Sequence, residues 1–181
     1  MQAQAALERA LNPERNYEIV NGQPEEKDMP GGLHGIVTMR LAVKLGAFVM
    51  ANQLGEASTE ANFKIGKGER IPDLSFVAAA RIPAEGIPSS VWQIAPDLAI
   101  EIISPNDLHE KVNTKVLEYL DAGVKQVWVV SLEQRMVTIY HAPNESHFVR
   151  GDAELTGGDL LPGFRCQLNE IFPAVSAPAQ S

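Results

Sequence analysis

The sequence has little of what several functional classes require. It contains one cysteine, Cys166, in 181 residues, so one chain forms neither an internal disulfide nor a zinc site built from several cysteines. It also lacks a glycine-rich phosphate-binding motif, a Gly-x-Ser-x-Gly sequence and a cysteine–histidine nucleophile pair. Nucleotide-cradling and covalent hydrolytic mechanisms are therefore disfavoured, and the cysteine content is typical of a reducing cytoplasm.

Long apolar runs and positive charge are also scarce. We expect no membrane association, because no apolar run reaches the length of a bilayer span and residues 1–10 lack the features of a secretory signal. The formal net charge of -8 disfavours broad binding to nucleic acid, which rests on lysine and arginine contacts to phosphate. Four basic residues lie close to Asp73 in sequence: Lys64, Lys67, Arg70 and Arg81. They form either a local basic surface or a solvated loop.

The chain length predicts one domain with a sizeable core. We expect an N-terminal extension over 1–16, a folded domain over 17–172 and a flexible tail over 173–181. Asn21-Gly22 between two short runs predicts a β-hairpin. Hydrophobic periodicity predicts further elements, namely helices near 33–53 and 108–122 and strands near 57–65, 74–77, 97–103, 126–130 and 136–141.

Two acids stand out against apolar strands. Glu101 is flanked by Ile100 and Ile102, and burying such a carboxylate is costly without a cation or hydrogen-bond donors. Asp73 opens the preceding apolar strand. If the two strands pair, both carboxylates converge on one ion, and two hard oxygen ligands suit Mg²⁺ or Mn²⁺. The alternatives are a structural salt bridge for Glu101 and a turn role for Asp73.

Lys115 is the candidate cation beside these acids. Asp107 and Glu110 predict a capping box for the helix near 108–122, and Lys115 lies at the edge of the inward stripe that contains Val112 and Tyr119. Lys115 can therefore reach a buried acid and a phosphate. A surface lysine that extends past apolar neighbours is an equally good interpretation.

Three further residues are possible accessory members of the site. His34 lies on the inward stripe of the first helix, where a buried structural histidine is the favoured interpretation. Glu18 begins the hairpin and either faces the same cleft or, as we slightly favour, is exposed. Ser104 follows the strand of Glu101, where its hydroxyl either joins a metal shell or, more commonly, caps a turn.

Taken in their order along the chain, these residues and motifs resemble those of the Uma-two family of restriction endonuclease-like proteins, within the PD-(D/E)XK nuclease superfamily. The similarity runs from about residue 17 to 172. Its landmarks are Tyr17-Glu18-Ile19-Val20-Asn21-Gly22, His34, Pro72-Asp73-Leu74, the run 96–105 around Glu101, Lys115 to Tyr119, Ala122-Gly123-Val124, Val127-Trp128-Val129-Val130 and Leu161-Pro162-Gly163-Phe164. The resemblance implies an α/β fold with a restriction endonuclease-like core, a mixed central β-sheet flanked by helices and an N-terminal β-hairpin.

The resemblance also implies that Asp73 and Glu101 are metal ligands. The superfamily places a lysine two residues after the second acid, where this chain has Ile103. The family pattern supplies this lysine from the next helix, and Lys115 matches that position. The expected function is Mg²⁺- or Mn²⁺-dependent endonucleolytic hydrolysis of DNA, by a homodimer if both strands are cut. The alternatives are an inactive relative that binds DNA or a protein partner, and a structural protein whose acids only pair with Lys115.

Overall fold

The structure is a computed structural model that describes residues 17–20, 22–26, 31–105 and 107–174. The strands are Tyr17–Val20 (β1), Gln23–Glu26 (β2), Gly55–Thr59 (β3), Phe63–Ile65 (β4), Gly68–Arg70 (β5), Leu74–Ala78 (β6), Leu98–Ile103 (β7), Gln126–Ser131 (β8), Met136–Ala142 (β9), Glu145–Arg150 (β10), Glu154–Gly157 (β11) and Leu161–Gln167 (β12). The helices are Gly32–Ala51 (α1), His109–Asp121 (α2) and Leu168–Ile171 (α3), with a 3₁₀ turn at Ala79–Arg81. The predicted extension 1–16 and residues 175–181 of the predicted tail lie outside the described residues.

A six-stranded sheet lies at the centre, in the order β10-β9-β8-β7-β6-β3. Its middle pair, β7 and β8, runs parallel, and the other neighbouring strands run antiparallel. Parallel neighbours need a crossover connection, and α2 provides it as predicted. The mixed central sheet, its flanking helices and the N-terminal hairpin confirm the predicted fold class.

Strand β7 is buried on both faces of this sheet, as its continuous apolar run predicts. Because successive side chains point to opposite faces, Leu98, Ile100 and Ile102 pack in the core that α1 covers. Ala99 packs on the other side, in the core that contains Tyr119 of α2. Glu101 follows in the same alternation as Ala99 and therefore faces α2.

Helix α1 covers one face of the sheet with a four-residue repeat of apolar side chains. Val37, Leu41, Leu45 and Val49 are 0–1% exposed, and this spacing places them on one side of the helix. Leu33, which lies one further four-residue step before Val37, is instead 43% exposed. The helix begins at Gly32, so Leu33 lies in its first turn, beyond the inward stripe.

Helix α1 bears on the expectation that no apolar run spans a bilayer. Among the described residues, α1 is long and apolar enough by length and composition to cross a bilayer. Its inner residues are nevertheless packed in the sheet's core, and the core helix of a folded domain meets the same criteria. Length and composition alone therefore do not distinguish the two cases, and one side of α1 is packed on the sheet.

The predicted strand 57–65 is two strands that belong to different sheets. Strand β3 is an edge of the six-stranded sheet, whereas β4 is an edge of a four-stranded sheet, β2-β1-β5-β4. Glu60 lies between them with a φ of 52°, a left-handed conformation that residues other than glycine adopt mainly in turns. The chain therefore turns away from the central sheet after Thr59.

The N-terminal hairpin forms as predicted and is joined to the rest of the domain through β5. Gly22 supplies the positive φ of the turn, at 79°. Ile19 of β1 pairs with Glu69 of β5, and a Cβ on Gly68 would lie 2.2 Å from the carbonyl oxygen of Ile19. This close approach requires glycine at position 68 and brings the hairpin, with Glu18, onto the α2 side of the sheet.

The predicted capping box of α2 is wrong. The helix begins at His109 after Leu108, and no side chain caps it among the described residues. Asp107 instead turns back, and its Oδ2 accepts a hydrogen bond of 2.5 Å from the backbone N–H of Ser104. The aspartate closes the loop after β7, which is a common use of this residue type in turns.

Candidate active site

Asp73 directly precedes β6, and Glu101 lies in β7, the strand that pairs with β6. The antiparallel register pairs Leu74 with Ile100 and Ser75 with Ala99. Continuing this register by one residue places the backbone of Asp73 across from that of Glu101. Asp73 is 2% exposed and Glu101 is 6% exposed. The convergence of two carboxylates that the sequence analysis anticipated is consistent with this register.

The carboxylate of Asp73 is held by groups from β7 and from α1. Its Oδ2 accepts a hydrogen bond of 2.6 Å from the backbone N–H of Ile102. Nε2 of His34 lies 3.2 Å from the same oxygen, and Nδ1 of His34 lies 3.3 Å from Oγ1 of Thr38, one turn further along α1. His34 is thus a part-buried residue that joins the first helix to the acid pair.

Two residues of α2 contact the two oxygens of Glu101. The hydroxyl of Tyr119 donates a hydrogen bond of 2.7 Å to Oε1, and Nζ of Lys115 lies 3.2 Å from Oε2. Residues four apart lie on the same face of a helix, which explains why both side chains reach one carboxylate. Burial raises the pKa of the Tyr119 hydroxyl well above its usual value, and the charge of Glu101 raises it further, so Tyr119 stays a neutral donor.

Lys115 bridges Glu101 and Glu18. Its Nζ donates a hydrogen bond of 2.9 Å to Oε1 of Glu18 and one of 3.2 Å to Oε2 of Glu101. Burial disfavours the charged ammonium, but the charges and hydrogen bonds of the two carboxylates outweigh it and raise the pKa of Lys115 above its usual value. Lys115 is therefore a cation across the neutral range.

Glu18 is buried in the site, at 5% exposed, so the favoured interpretation of an exposed strand residue is wrong. Its Oε1 accepts a hydrogen bond of 3.1 Å from the backbone N–H of Ile71, and its Oε2 accepts one of 3.3 Å from Nη1 of Arg70. Arg70 also donates to Oε2 of Glu118 on α2, at 2.7 Å from Nε. This buried network holds the hairpin against α2.

The whole chain can now be compared with known proteins. A family model, Uma2, described as "Putative restriction endonuclease", matches residues 3–169. The chain belongs to the Uma2 family. A solved structure from Anabaena variabilis ATCC 29413, described as a "putative nuclease belonging to DUF820", is similar to it over 88% of this chain and 90% of the other, with 25% identity and a TM-score of 0.80. No match is found among curated proteins. The resemblance and the nuclease-like fold expected from the sequence are confirmed.

In this Uma2 family member, the position two residues after Glu101 is occupied by Ile103, which is part-buried at the end of β7. Lys115 approaches Glu101 from α2 instead. The catalytic and metal-binding roles of Asp73, Glu101 and Lys115 stay predictions, but the lysine and the acid that the sequence analysis paired are in contact. An amine on α2 therefore contacts Glu101, whereas the strand position two residues after Glu101 carries Ile103.

The donor set fits a hard divalent cation in kind. Asp73 and Glu101 are carboxylates, and Mg²⁺ is commonly bound through one or two carboxylates while waters and substrate phosphate complete its shell. Among the described residues, no group of three or more histidine, cysteine, aspartate or glutamate side chains could enclose a metal ion. Asp73 and Glu101 would hold such an ion together with waters and substrate phosphate.

Ser104 is not brought into the acid cluster by its hydrogen bonds. Among the described residues, these bonds are made by its backbone, whose N–H donates to Asp107 and whose carbonyl accepts from the N–H of Asp107 at 3.0 Å. The turn role that the sequence analysis favoured belongs to Asp107, whose side chain closes the loop. A metal-shell role for the Ser104 hydroxyl stays a prediction.

The four basic residues near Asp73 in sequence do not form one basic surface. Arg70 is buried among glutamates, and Arg81 forms an ion pair of 3.0 Å with the buried Asp97, at the opposite end of β7 from Glu101. Lys67 is exposed and Lys64 is part-buried beside it. Proximity in sequence suggested one basic cluster. In the structure, Arg70 and Arg81 form ion pairs with different acids and so do not belong to a common surface.

Sequence reasoning missed three members of the network: Arg70, Glu118 and Tyr119. The spacing of Tyr119 four residues after Lys115 was a usable signal, because such pairs share a helix face. Arg70 and Glu118 carried no comparable signal, because 48 residues separate them. Their pairing depends on how the small sheet docks against α2.

Proposed function

We propose that this chain is a Mg²⁺- or Mn²⁺-dependent endonuclease that hydrolyses phosphodiester bonds in DNA. One observation carries the proposal: a cationic lysine, Lys115, lies 3.2 Å from Oε2 of Glu101. The register of β6 and β7, continued by one residue, supports a position for Asp73 across from Glu101. The family description and the nuclease description of the similar structure support the same reaction class.

Asp73 and Glu101 would hold the metal ion. A bound Mg²⁺ or Mn²⁺ supplies a Lewis acid that polarises a phosphate oxygen and lowers the pKa of a bound water. Neutral hydrogen-bond donors of the chain orient both carboxylates. The Ile102 N–H orients Asp73, and the Tyr119 hydroxyl orients Glu101, so each carboxylate is fixed before substrate arrives.

Lys115 would stabilise the negative charge that develops on the phosphate. Its raised pKa keeps it protonated near neutral pH, so it acts as a fixed positive charge and not as a general base. A positive charge placed at the reacting group in a buried site favours the transition state electrostatically. Glu18 holds the other side of the ammonium, at 2.9 Å, and limits its movement.

The substrate and the assembly follow from the same proposal. DNA is the proposed partner, although the net charge of -8 means that binding relies on local contacts and on the metal ion rather than on the whole surface. Each chain supplies one Asp73–Glu101 pair. Cutting both strands of a duplex therefore requires two chains or two successive events, and a homodimer meets this requirement.

Cleavage of supercoiled plasmid by the purified protein tests the proposal. We expect nicked and linear products with Mg²⁺ and none with excess chelator. The variant Asp73→Asn keeps the size of the side chain and should lower the rate at least about 100-fold. Glu133→Gln, which changes an exposed acid outside the site, should cut like the unmodified protein. Plasmid that stays supercoiled with both metals would contradict the proposal.

An inactive relative that binds DNA or a protein partner is the alternative function. It is favoured by Ile103 at the usual lysine position and by the close pairing of Lys115 with two glutamates. Titration calorimetry with Mn²⁺ separates the two functions. A nuclease site binds the metal and loses affinity in Asp73→Asn, whereas the alternative predicts no heat of binding that depends on Asp73.

A further inference from the structure

Two histidines contact each other across the hairpin that β9 and β10 form. The rings of His141 and His147 are stacked, with their centres 5.3 Å apart and their planes 15° from parallel. The two residues are six positions apart in sequence, a spacing that by itself indicates no metal site. The turn at 143–144 folds β10 back onto β9 and brings the two rings together.

The register of the hairpin places this pair on a defined side of the sheet. His147 lies directly across from Ile139, and residues opposite each other in an antiparallel pair share a face. Ile139 is buried in the core that α1 covers, so the histidine pair lies on that side. The register shifts at this end of the hairpin and leaves His141 without a paired residue on β10. Such a bulge re-aims the side chain of the extra residue.

The distance between the two ring centres suits a shared metal ion. Two imidazoles that bind one tetrahedral Zn²⁺ at the usual Zn–N distance of about 2 Å have their centres about 5 Å apart. Turning a ring about its Cβ–Cγ bond aims a nitrogen at the ion, and it leaves the ring centre nearly in place because that bond points at the centre. His147 is exposed and His141 is half-buried, so an ion from solvent reaches the pair.

The nitrogens of both rings are available as ligands. The part of the chain that the structure describes contains no hydrogen bond or ion pair to a nitrogen of either ring. Two protonated imidazoles in contact repel each other, whereas the neutral ring is the form that binds a metal. His34 differs in this respect, because its two nitrogens contact Asp73 and Thr38.

We propose that His141 and His147 together bind Zn²⁺ or a similar transition-metal ion, with water at the remaining coordination positions. Imidazole suits Zn²⁺, Ni²⁺ and Cu²⁺, whereas carboxylate and carbonyl oxygens suit Mg²⁺. The site is therefore chemically distinct from the pair Asp73 and Glu101, and the inference does not depend on nuclease activity. With one ligand from each strand, the ion ties β9 to the edge strand β10 and stabilises the folded chain.

Nuclear magnetic resonance of the histidine rings tests the proposal, because the chain has only four histidines. With one equivalent of Zn²⁺, we expect the ring signals of His141 and His147 to shift together. The signals of His109, an exposed histidine of α2, should stay in place. His34, which contacts Asp73, reports separately on any Zn²⁺ at the candidate active site. Unchanged signals of the pair, or equal shifts of His109, overturn the proposal.

Titration calorimetry with Zn²⁺ measures the contribution of each ring. His141→Asn and His147→Asn each remove one of the two protein ligands and should weaken Zn²⁺ binding at least about 10-fold. His109→Asn is the matched control and should bind Zn²⁺ like the unmodified protein, also in a large excess of Mg²⁺. Equal affinity in the three variants would identify adventitious binding by single surface histidines and would overturn the proposal.

Discussion

Nζ of Lys115 lies 3.2 Å from Oε2 of Glu101, although the two residues belong to different elements of the fold, α2 and β7. Ile103 occupies the position on β7 where the superfamily pattern has a lysine. The amine therefore reaches the acid from the neighbouring helix. This contact connects the two parts of the candidate site and defines what each substitution below should change.

Replacing Lys115 with methionine should abolish plasmid cleavage and weaken the fold. Methionine keeps the length of the side chain but leaves Glu18 and Glu101, which are 5% and 6% exposed, without the ammonium. Breaking a buried ion pair typically costs about 3–5 kcal/mol, and the 21% exposure of the Lys115 side chain places the expected loss at the lower end, about 3 kcal/mol. Urea unfolding measures this loss.

Lys111→Met is the matched control for that experiment. Lys111 lies one turn earlier on the same helix and is exposed. Its replacement should change the unfolding free energy by less than about 0.5 kcal/mol and should leave cleavage intact. Equal effects of the two substitutions would show that Lys115 contributes as a surface lysine, contrary to the buried bridge.

Replacing Tyr119 with phenylalanine should weaken metal binding without removing a ligand. The change deletes the hydroxyl that donates to Oε1 of Glu101 at 2.7 Å and keeps the ring in the core. Loss of a partner that orients a ligand typically costs about 10- to 100-fold in metal affinity. Titration calorimetry with Mn²⁺ measures the change, and Tyr140→Phe, on the part-buried β9, serves as control. Unchanged metal affinity in Tyr119→Phe would show that the hydroxyl does not contribute to metal binding.

Asp97 should make the fold sensitive to acid. Burial alone would raise the pKa of Asp97, but the N–H of Ala78 and the charges of Lys125 and Arg81 outweigh it and lower the pKa below its usual value. A lowered pKa in the folded state adds stability above the ordinary value, about pH 4, and this contribution disappears as the pH falls further.

The variant Asp97→Asn should therefore be less stable than the unmodified protein at neutral pH, by about 2 kcal/mol, a reduced value because Arg81 and Lys125 reach solvent. The difference should shrink below about pH 4. Urea unfolding across this pH range checks the sign. A difference that stays constant from neutral to acidic pH would exclude the ion-pair explanation.

The sequence was informative wherever one element determined the outcome. Alternation along β7 placed Glu101 on the face away from Ile100 and Ile102, and helical spacing placed Lys115 beside the inward residues of α2. Both inferences need only the period of one strand or one helix. The lysine–glutamate contact followed from them because the helix directly succeeds the strand.

Contacts between distant segments were not predictable in the same way. Glu18 was assigned to an exposed strand because its short hairpin has no strong pattern. It is buried by its contact with Arg70, and 52 residues separate the two in sequence. The docking of β1 on β5 decides the outcome, and it depends on a close backbone approach at Gly68. Local periodicity carries no information about such docking.

Helix α1 shows a different limit. A four-residue spacing marks the buried residues Val37, Leu41 and Leu45, but apolar residues also occupy the outer side, so the helix has little contrast between its faces. The structure was needed to show which side the sheet covers.

Plasmid cleavage by Glu101→Gln tests the central claim most directly. Glutamine keeps the shape of the side chain and can still accept from Tyr119, but it removes the charge that faces Lys115 and the proposed metal ion. We expect the unmodified protein and Glu133→Gln to nick supercoiled plasmid with Mg²⁺ at equal rates, and Glu101→Gln to be at least about 100-fold slower. Cleavage by Glu101→Gln at the unmodified rate would contradict the account.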